Sequence, residues 1–209
     1  MTGTRLDLAT WPRADQFRFF RTFAKPHFAT TARVDVSVMM RARAARGLSP
    51  FRTALWAFGA ALHAVPELRL RFEGETVWSF DQLTLSPTIA TPDGDFRFAY
   101  LDWTPDRTAF DRAAEAEIGR VRQGGIVHNP NVGRLDVAYL SCLPWLDYTS
   151  VDNAMPGPDD CIPRISWGRI VPKGDGFDMA VTLEVHHALV DGRHVGQWFE
   201  ALGRALTDL

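Results

Sequence analysis

The chain has 209 residues, of which 46% are hydrophobic and 23% charged, with a formal net charge of −2. That length supports one domain with a substantial core, and that charge excludes a nucleic-acid-binding domain, which needs a basic face against phosphates. Two cysteines without a CxxC spacing, Cys142 and Cys161, make neither a disulfide framework nor a zinc ribbon.

The first residues, MTGTRLDLATW, carry no apolar stretch of the kind a secretory signal has. The longest apolar stretch, LWAFGAALHAV at 55–65, is too short to span a bilayer. A protein of the reducing cytoplasm, with no membrane or nucleic-acid partner, is expected. Alternation in ARVDVSV (32–38) predicts a strand, and MMRARAARG a short helix that stops at Gly47. Ser49 caps the next helix, with Pro50 at its first position, where a missing N–H costs nothing. In that helix Leu55, Phe58, Ala61, Leu62 and Val65 recur at helical spacing and point to the core. LRLRFEGETVWSF (68–80) reads as a hairpin turning at Glu73-Gly74, and DFRFAYLDW (95–103) as a strand. Pro105 opens a helix that ends at Gly124-Gly125, and three further strands are predicted at 135–141, 163–172 and 177–185. Val195, Trp198, Phe199, Leu202 and Leu206 form the apolar stripe of a last helix. Helices and strands intermingle without strict βαβ alternation. The expected fold is a single α/β domain over 1–209, a two-layer sandwich of a mixed β-sheet packed by helices.

The chemistry concentrates in LEVHHALVDG, residues 183–192. Successive strand side chains alternate faces, so His186 and His187 point in opposite directions, one free to be structural while the other faces a cleft. An imidazole titrates near neutrality and can take a proton from a hydroxyl at working pH. Asp191 is placed to cap the following helix, and Gly192 offers the freedom a tight strand-to-helix passage often uses. The same residues can be read as a satisfied strand-end histidine and an ordinary cap. A metal set of His187, Asp191 and His194 matches no ligand spacing, and no metal is expected.

HHALVDG fits HHxxxDG, the signature of the CoA-dependent acyltransferases. TWPRADQFRFF, HAVPELRLRF, LSCLPWLDYTSVD and SWGRI extend the likeness, in order, along nearly the whole chain, which resembles the chloramphenicol acetyltransferases. The resemblance implies an acetyl-CoA-dependent O-acetyltransferase, with chloramphenicol as acceptor, working as a homotrimer with sites between subunits. It makes His187 the general base, its ring held largely by its own backbone carbonyl. It makes Asp191 and Arg13 (of WPR) a buried ion pair bracing the loop, and Ser141, four residues before Trp145 of the PW pair, the oxyanion donor. Ser166 stands for a family threonine that holds the intermediate through water, and Arg169 for a lysine on the CoA side, where Trp145 is also expected. Phe20, Ala24, Phe28, Phe96 or Phe98, and His128 are the implied acceptor-lining positions. Two other readings stay open: a different small hydroxyl acceptor, or a non-catalytic trimeric binder that keeps the fold.

Overall fold

The structure is a computed structural model that describes residues 3–124 and 133–209. In chain order its elements are β1 (Thr4–Arg5), α1 (Ala14–Phe20), β2 (His27–Asp35), α2 (Ser37–Arg46), α3 (Pro50–Ala64), a 3₁₀ turn (Pro66–Arg69), β3 (Leu70–Glu73), β4 (Thr76–Ser79), β5 (Thr84–Ala90), β6 (Phe96–Phe98), β7 (Leu101–Asp102), α4 (Arg107–Gln123), β8 (Val137–Leu143), β9 (Arg164–Gly168), β10 (Val171–Lys173), β11 (Gly176–His186) and α5 (Gly192–Thr207). A small antiparallel sheet has the order β1-β4-β3, and the large mixed sheet runs β10-β11-β9-β8-β5-β6. The β5–β8 and β8–β9 pairs are parallel, and β2 pairs with β11 antiparallel along its length. Helices cover one face of the large sheet. This is the two-layer α/β sandwich expected.

Local chemistry sets most boundaries. Gly47 ends α2 at a φ of 69°, the left-handed conformation that glycine adopts without steric cost. Ser49 Oγ accepts from Arg52 N at 3.3 Å with Pro50 just inside α3. The fourth helix begins two residues after Pro105, because the Asp106 side chain is the cap and accepts from Ala109 N at 3.0 Å. The predicted strand at 32–38 starts earlier and ends at Asp35, since nine residues of β2 pair with β11. The predicted strand at 163–172 is two. Arg169 N turns away to donate to Leu146 O at 2.7 Å, so β9 and β10 pair with successive stretches of β11.

Residue parity assigns the two faces of the sheet. Leu140, Ile165 and Leu183 lie in one cross-strand row, and Cys142, Trp167 and Val181 in the next, toward the helices. There Phe58 of α3 packs on Trp167 at 5.1 Å and on Trp198 of α5 at 6.1 Å. Leu55, Phe58, Ala61, Leu62 and Val65 are all buried, as the helical spacing requires. The opposite face is polar. Tyr139, Arg164 and Glu184 form one row, and Ser141, Ser166, Thr182 and Thr31 the next.

Gly59 marks the tightest packing of α3. A Cβ there would lie 2.1 Å from Trp103 Cδ1, and that indole is fixed by Nε1 donating to Trp56 O at 3.0 Å and by stacking on His63. Gly59→Ala should therefore destabilise by roughly 1–3 kcal/mol despite alanine's better helix propensity, measured as a lower urea midpoint.

Candidate active site

At the end of β11 the two histidines separate as alternation requires. His186 is 2% exposed; its Nε2–H donates to Pro158 O at 2.9 Å, and its Nδ1 accepts from Ala188 N at 3.1 Å. Burial pushes its pKa down to about 4, against a weaker upward pull from the Pro158 carbonyl, so the ring is neutral and structural. His187 is half-buried. Its ring stacks on Phe20 at 3.8 Å and 7°, and Phe28 closes the other side at 4.7 Å. Its backbone N–H donates to Pro26 O at 2.9 Å, extending the β2–β11 ladder by one bond. Among the described residues Nδ1 has no hydrogen-bond partner, and aromatic packing holds this ring.

The chain then turns through Leu189 and Val190, both of whose N–H groups donate to His186 O at 3.1 Å, and enters α5 at Asp191. Asp191 Oδ1 accepts from Arg193 N and His194 N, and His194 Nδ1 accepts from Asp191 N, a reciprocal cap. Burial pushes the His194 pKa down against the pull of Glu67 and Asp191, which leaves Nδ1 free to accept. The other Asp191 oxygen lies 2.6 Å from Arg13 Nη1, which stands at the head of α1. The pair is 16% and 33% exposed, partly rather than fully buried. Gly192 has no positive φ, and a Cβ there would meet nothing, so the passage into α5 does not call on its freedom. Among the described residues no three His, Cys, Asp or Glu side chains are arranged to hold a metal ion.

Ser141 lies elsewhere, on the polar face of β8 in register with Ser166 of β9. Two cavities meet at it. One, of about 400 Å³, is lined by Phe96, Phe98, Thr88, Tyr139 and Asn153; the other, of about 570 Å³, by Phe51, Arg122, Cys142 and Trp145. Phe96 and Thr88 border both. A third cavity, of about 240 Å³, carries Arg169 beside Pro50, Phe51 and Cys142. Trp145 is 72% exposed, not a core aromatic. Ser166 is buried, and its Oγ donates to Asn153 Oδ1 at 3.2 Å. Ala24 is exposed in the turn after α1, and Phe20 and Phe28 pack on His187 rather than beside Ser141. His128 lies outside the described residues. Arg122, Asn153, Glu184 and the Asp160–Arg164 pair carried no sequence signal, because each gains its place only through sheet register and the loop that follows β8.

One chain does not bring Ser141 to His187. Ser141, Ser166 and Thr182 share a row, and His187 lies five residues further along β11. At roughly 3.3 Å per residue and 4.8 Å per strand, the two Cα atoms are on the order of 20 Å apart, with the side chains on opposite parities.

The half-buried histidine beside an Asp-capped helix and the serine where two cavities meet lie on a mixed sheet backed by helices, and likeness to known proteins makes the chain an acyltransferase. The sequence model described as "CAT: Chloramphenicol acetyltransferase" matches residues 1–203, so the chain belongs to the chloramphenicol acetyltransferase family. Chloramphenicol acetyltransferase 2 of Escherichia coli is 25% identical over 211 residues, covering 97% of this chain and 96% of that protein. A chloramphenicol acetyltransferase of Streptomyces acrimycini is 27% identical over 215 residues, covering 99% and 96%. A solved chloramphenicol acetyltransferase structure superposes with a TM-score of 0.91 at 25% identity, over 98% of this chain and all of that one. The family uses acetyl-CoA as co-substrate and a small-molecule acceptor.

Two predictions follow from this geometry. Arg13→Met removes a partly buried pair and should cost about 1–2 kcal/mol by urea unfolding, less than the 3–5 of a fully buried one. The lowered His186 pKa means that the unfolded chain binds the extra proton between its ordinary value of 6.5 and about 4. Stability is therefore full above pH 6.5 and falls as pH drops toward 4. Urea midpoints measured at pH 7, 5.5 and 4.5 should decline less steeply in His186→Gln than in the wild type.

Proposed function

We propose that this enzyme transfers the acetyl group of acetyl-CoA to a hydroxyl of chloramphenicol or a related small acceptor, and so confers resistance to the drug. The observation that carries this reading is the place of Ser141 at the junction of two cavities. One is aromatic and polar and suits an acceptor. The other is a mostly apolar cavity whose cation Arg122, with Arg169 in the adjoining cavity, suits the phosphates of CoA, and Trp145 lines it.

In this reading His187 takes the proton from the acceptor hydroxyl as its oxygen attacks the thioester carbon. The former carbonyl oxygen becomes an oxyanion that receives a hydrogen bond from Ser141 Oγ. Collapse breaks the C–S bond, and the thiolate leaves with the proton from His187. No acyl-enzyme is formed. Cys142, the neighbouring thiol, is pushed up to about 12 by burial and is a poor nucleophile at neutral pH. The Arg13–Asp191 pair braces the loop that carries His187.

His187 and Ser141 act on one substrate only if they come from different copies of the chain, and we propose a homotrimer with its sites between subunits. The exposed large hydrophobics support this. Phe19 and Phe23 pack around Phe20, which stacks on His187, while Phe96 and Trp145 line a cavity at Ser141. Exposed apolar side chains gathered at both halves of a divided site are what an interface between copies would cover. No helix of the described residues is long and apolar enough to cross a membrane.

The test is release of CoA thiol from acetyl-CoA and chloramphenicol, followed with a thiol reagent. His187→Ala should lose roughly 10²–10⁴-fold in kcat and Ser141→Ala roughly 10²-fold. Full thiol release by His187→Ala would replace catalysis with mere binding as the function, and release with other alcohols but not chloramphenicol would move the acceptor.

A further inference from the structure

Glu184 is 1% exposed on the polar face of β11, and among the described residues it has no cation within ion-pair distance. Its strand neighbour Arg164 is committed to Asp160, both carboxylate oxygens at 3.0 Å, and to Ile162 O. The buried Glu184 carboxylate instead accepts from Asn153 twice, from the backbone N at 3.0 Å and from Nδ2 at 2.8 Å. Asn153 Oδ1 meanwhile accepts from Ser166 Oγ at 3.2 Å. The amide is thus fixed in one orientation from both ends, and it lines the cavity at Ser141.

An asparagine amide has two N–H donors and two acceptor lone pairs. Glu184 takes one donor and Ser166 fills one lone pair. One N–H and one lone pair remain, on a side chain that lines the cavity. A hydroxyl or a secondary amide answers both at once, whereas a hydrocarbon or plain aryl group answers neither and leaves a polar pair desolvated. From this we infer that Asn153, positioned by Glu184, is a specificity determinant, and that the acceptor carries a second hydrogen-bonding group, a hydroxyl or an amide, near the hydroxyl that is acylated. Ser166 is the counterpart of Ser141 in the next strand, which sets this second group within a residue or two of the reacting centre. The inference rests on the O-acetyltransferase reading for its site and adds the chemistry of the ligand.

The test uses two probe alcohols: chloramphenicol, which has a secondary hydroxyl and an amide near its primary hydroxyl, and 3-phenylpropan-1-ol, which has neither. The readout is the ratio of their kcat/KM values in thiol release, with thermal midpoints to establish folding. Asn153→Leu should lower the ratio in favour of chloramphenicol by about tenfold, mainly through KM. Glu184→Leu should do the same, and Glu184→Gln, which still accepts from Asn153, should restore most of the ratio. If Asn153→Leu does not fold, Asn153→Ala carries the test. An unchanged ratio in the folded variant overturns the inference while acetyl transfer stands. If wild type releases thiol with neither alcohol, the transfer reading falls and the inference is decided by binding of the two probes, followed by tryptophan fluorescence. Selective weakening of chloramphenicol by Asn153→Leu then upholds it, and equal binding by wild type and variant overturns it.

Discussion

The strict alternation of β11 is the constraint on which the other features depend. The strand is hydrogen-bonded on both edges, to β2 on one side and to β9 and β10 on the other. Its odd residues Met179, Val181, Leu183 and Val185 enter the core under the helices, and its even residues Thr182, Glu184 and His186 lie on the polar face. A slip of one residue would push a carboxylate and an imidazole into the hydrocarbon core and expose four aliphatic side chains. The register is therefore held by what it would cost to lose it. The separation of His186 from His187 follows as the last step of the same alternation.

Three distant stretches converge on the end of that strand. Arg13, at the head of α1, reaches Asp191 at the head of α5; Phe20, about two turns further on, stacks on His187; and Pro26 accepts from the His187 backbone. The ion pair and the stack thus act through one helix. A short helix held at both ends fixes an imidazole whose Nδ1 has no partner among the described residues, by dispersion and shape.

The sequence made much of this legible where one residue type admits one local answer. The Ser49–Pro50 start of α3, the stop at Gly47 and the Asp191 cap all rest on a side chain or a φ that few residues supply. The central strand β5 escaped, because TLSPTIA holds Pro87, and proline argues against an inner strand. It fits because β5 pairs with β8 in parallel register, and Pro87 still offers its carbonyl, to Ala99 N at 3.0 Å. The helix at 14–20 also escaped, since its aromatic run has neither a side-chain cap nor a clean stripe. Of the candidate site, the HHxxxDG end and Ser141 were proposed through the resemblance to the family. The stacking of Phe20 and Phe28 on His187, the exposure of Trp145 and the Asn153–Glu184 pair were not, since they arise between segments far apart in the chain.

That division has a physical basis. His187 and Ser141 are carried by the ends of strands whose register the core enforces. The cavity wall beside Ser141 is different, for much of it belongs to the loop between β8 and β9. The loop is tied to the polar face by side chains. The Tyr148 hydroxyl donates to Ser166 O at 2.7 Å, Asn153 is held by Glu184, His186 donates to Pro158 O, His27 to Asp160 O at 2.6 Å, and Arg21 pairs with Asp159 at 3.2 Å. Tyr148 and Asn153 bond on the polar face, whereas His186 also packs edge-on against the core ring of Phe72 and Arg21 lies over Phe17 and Phe72. In the proposed function, reaction chemistry is anchored in the sheet and acceptor choice in the loop. A sequence pattern that specifies the strands then reports the class of reaction, while pairings such as Asn153–Glu184, to which we assign acceptor choice, leave no pattern along the chain.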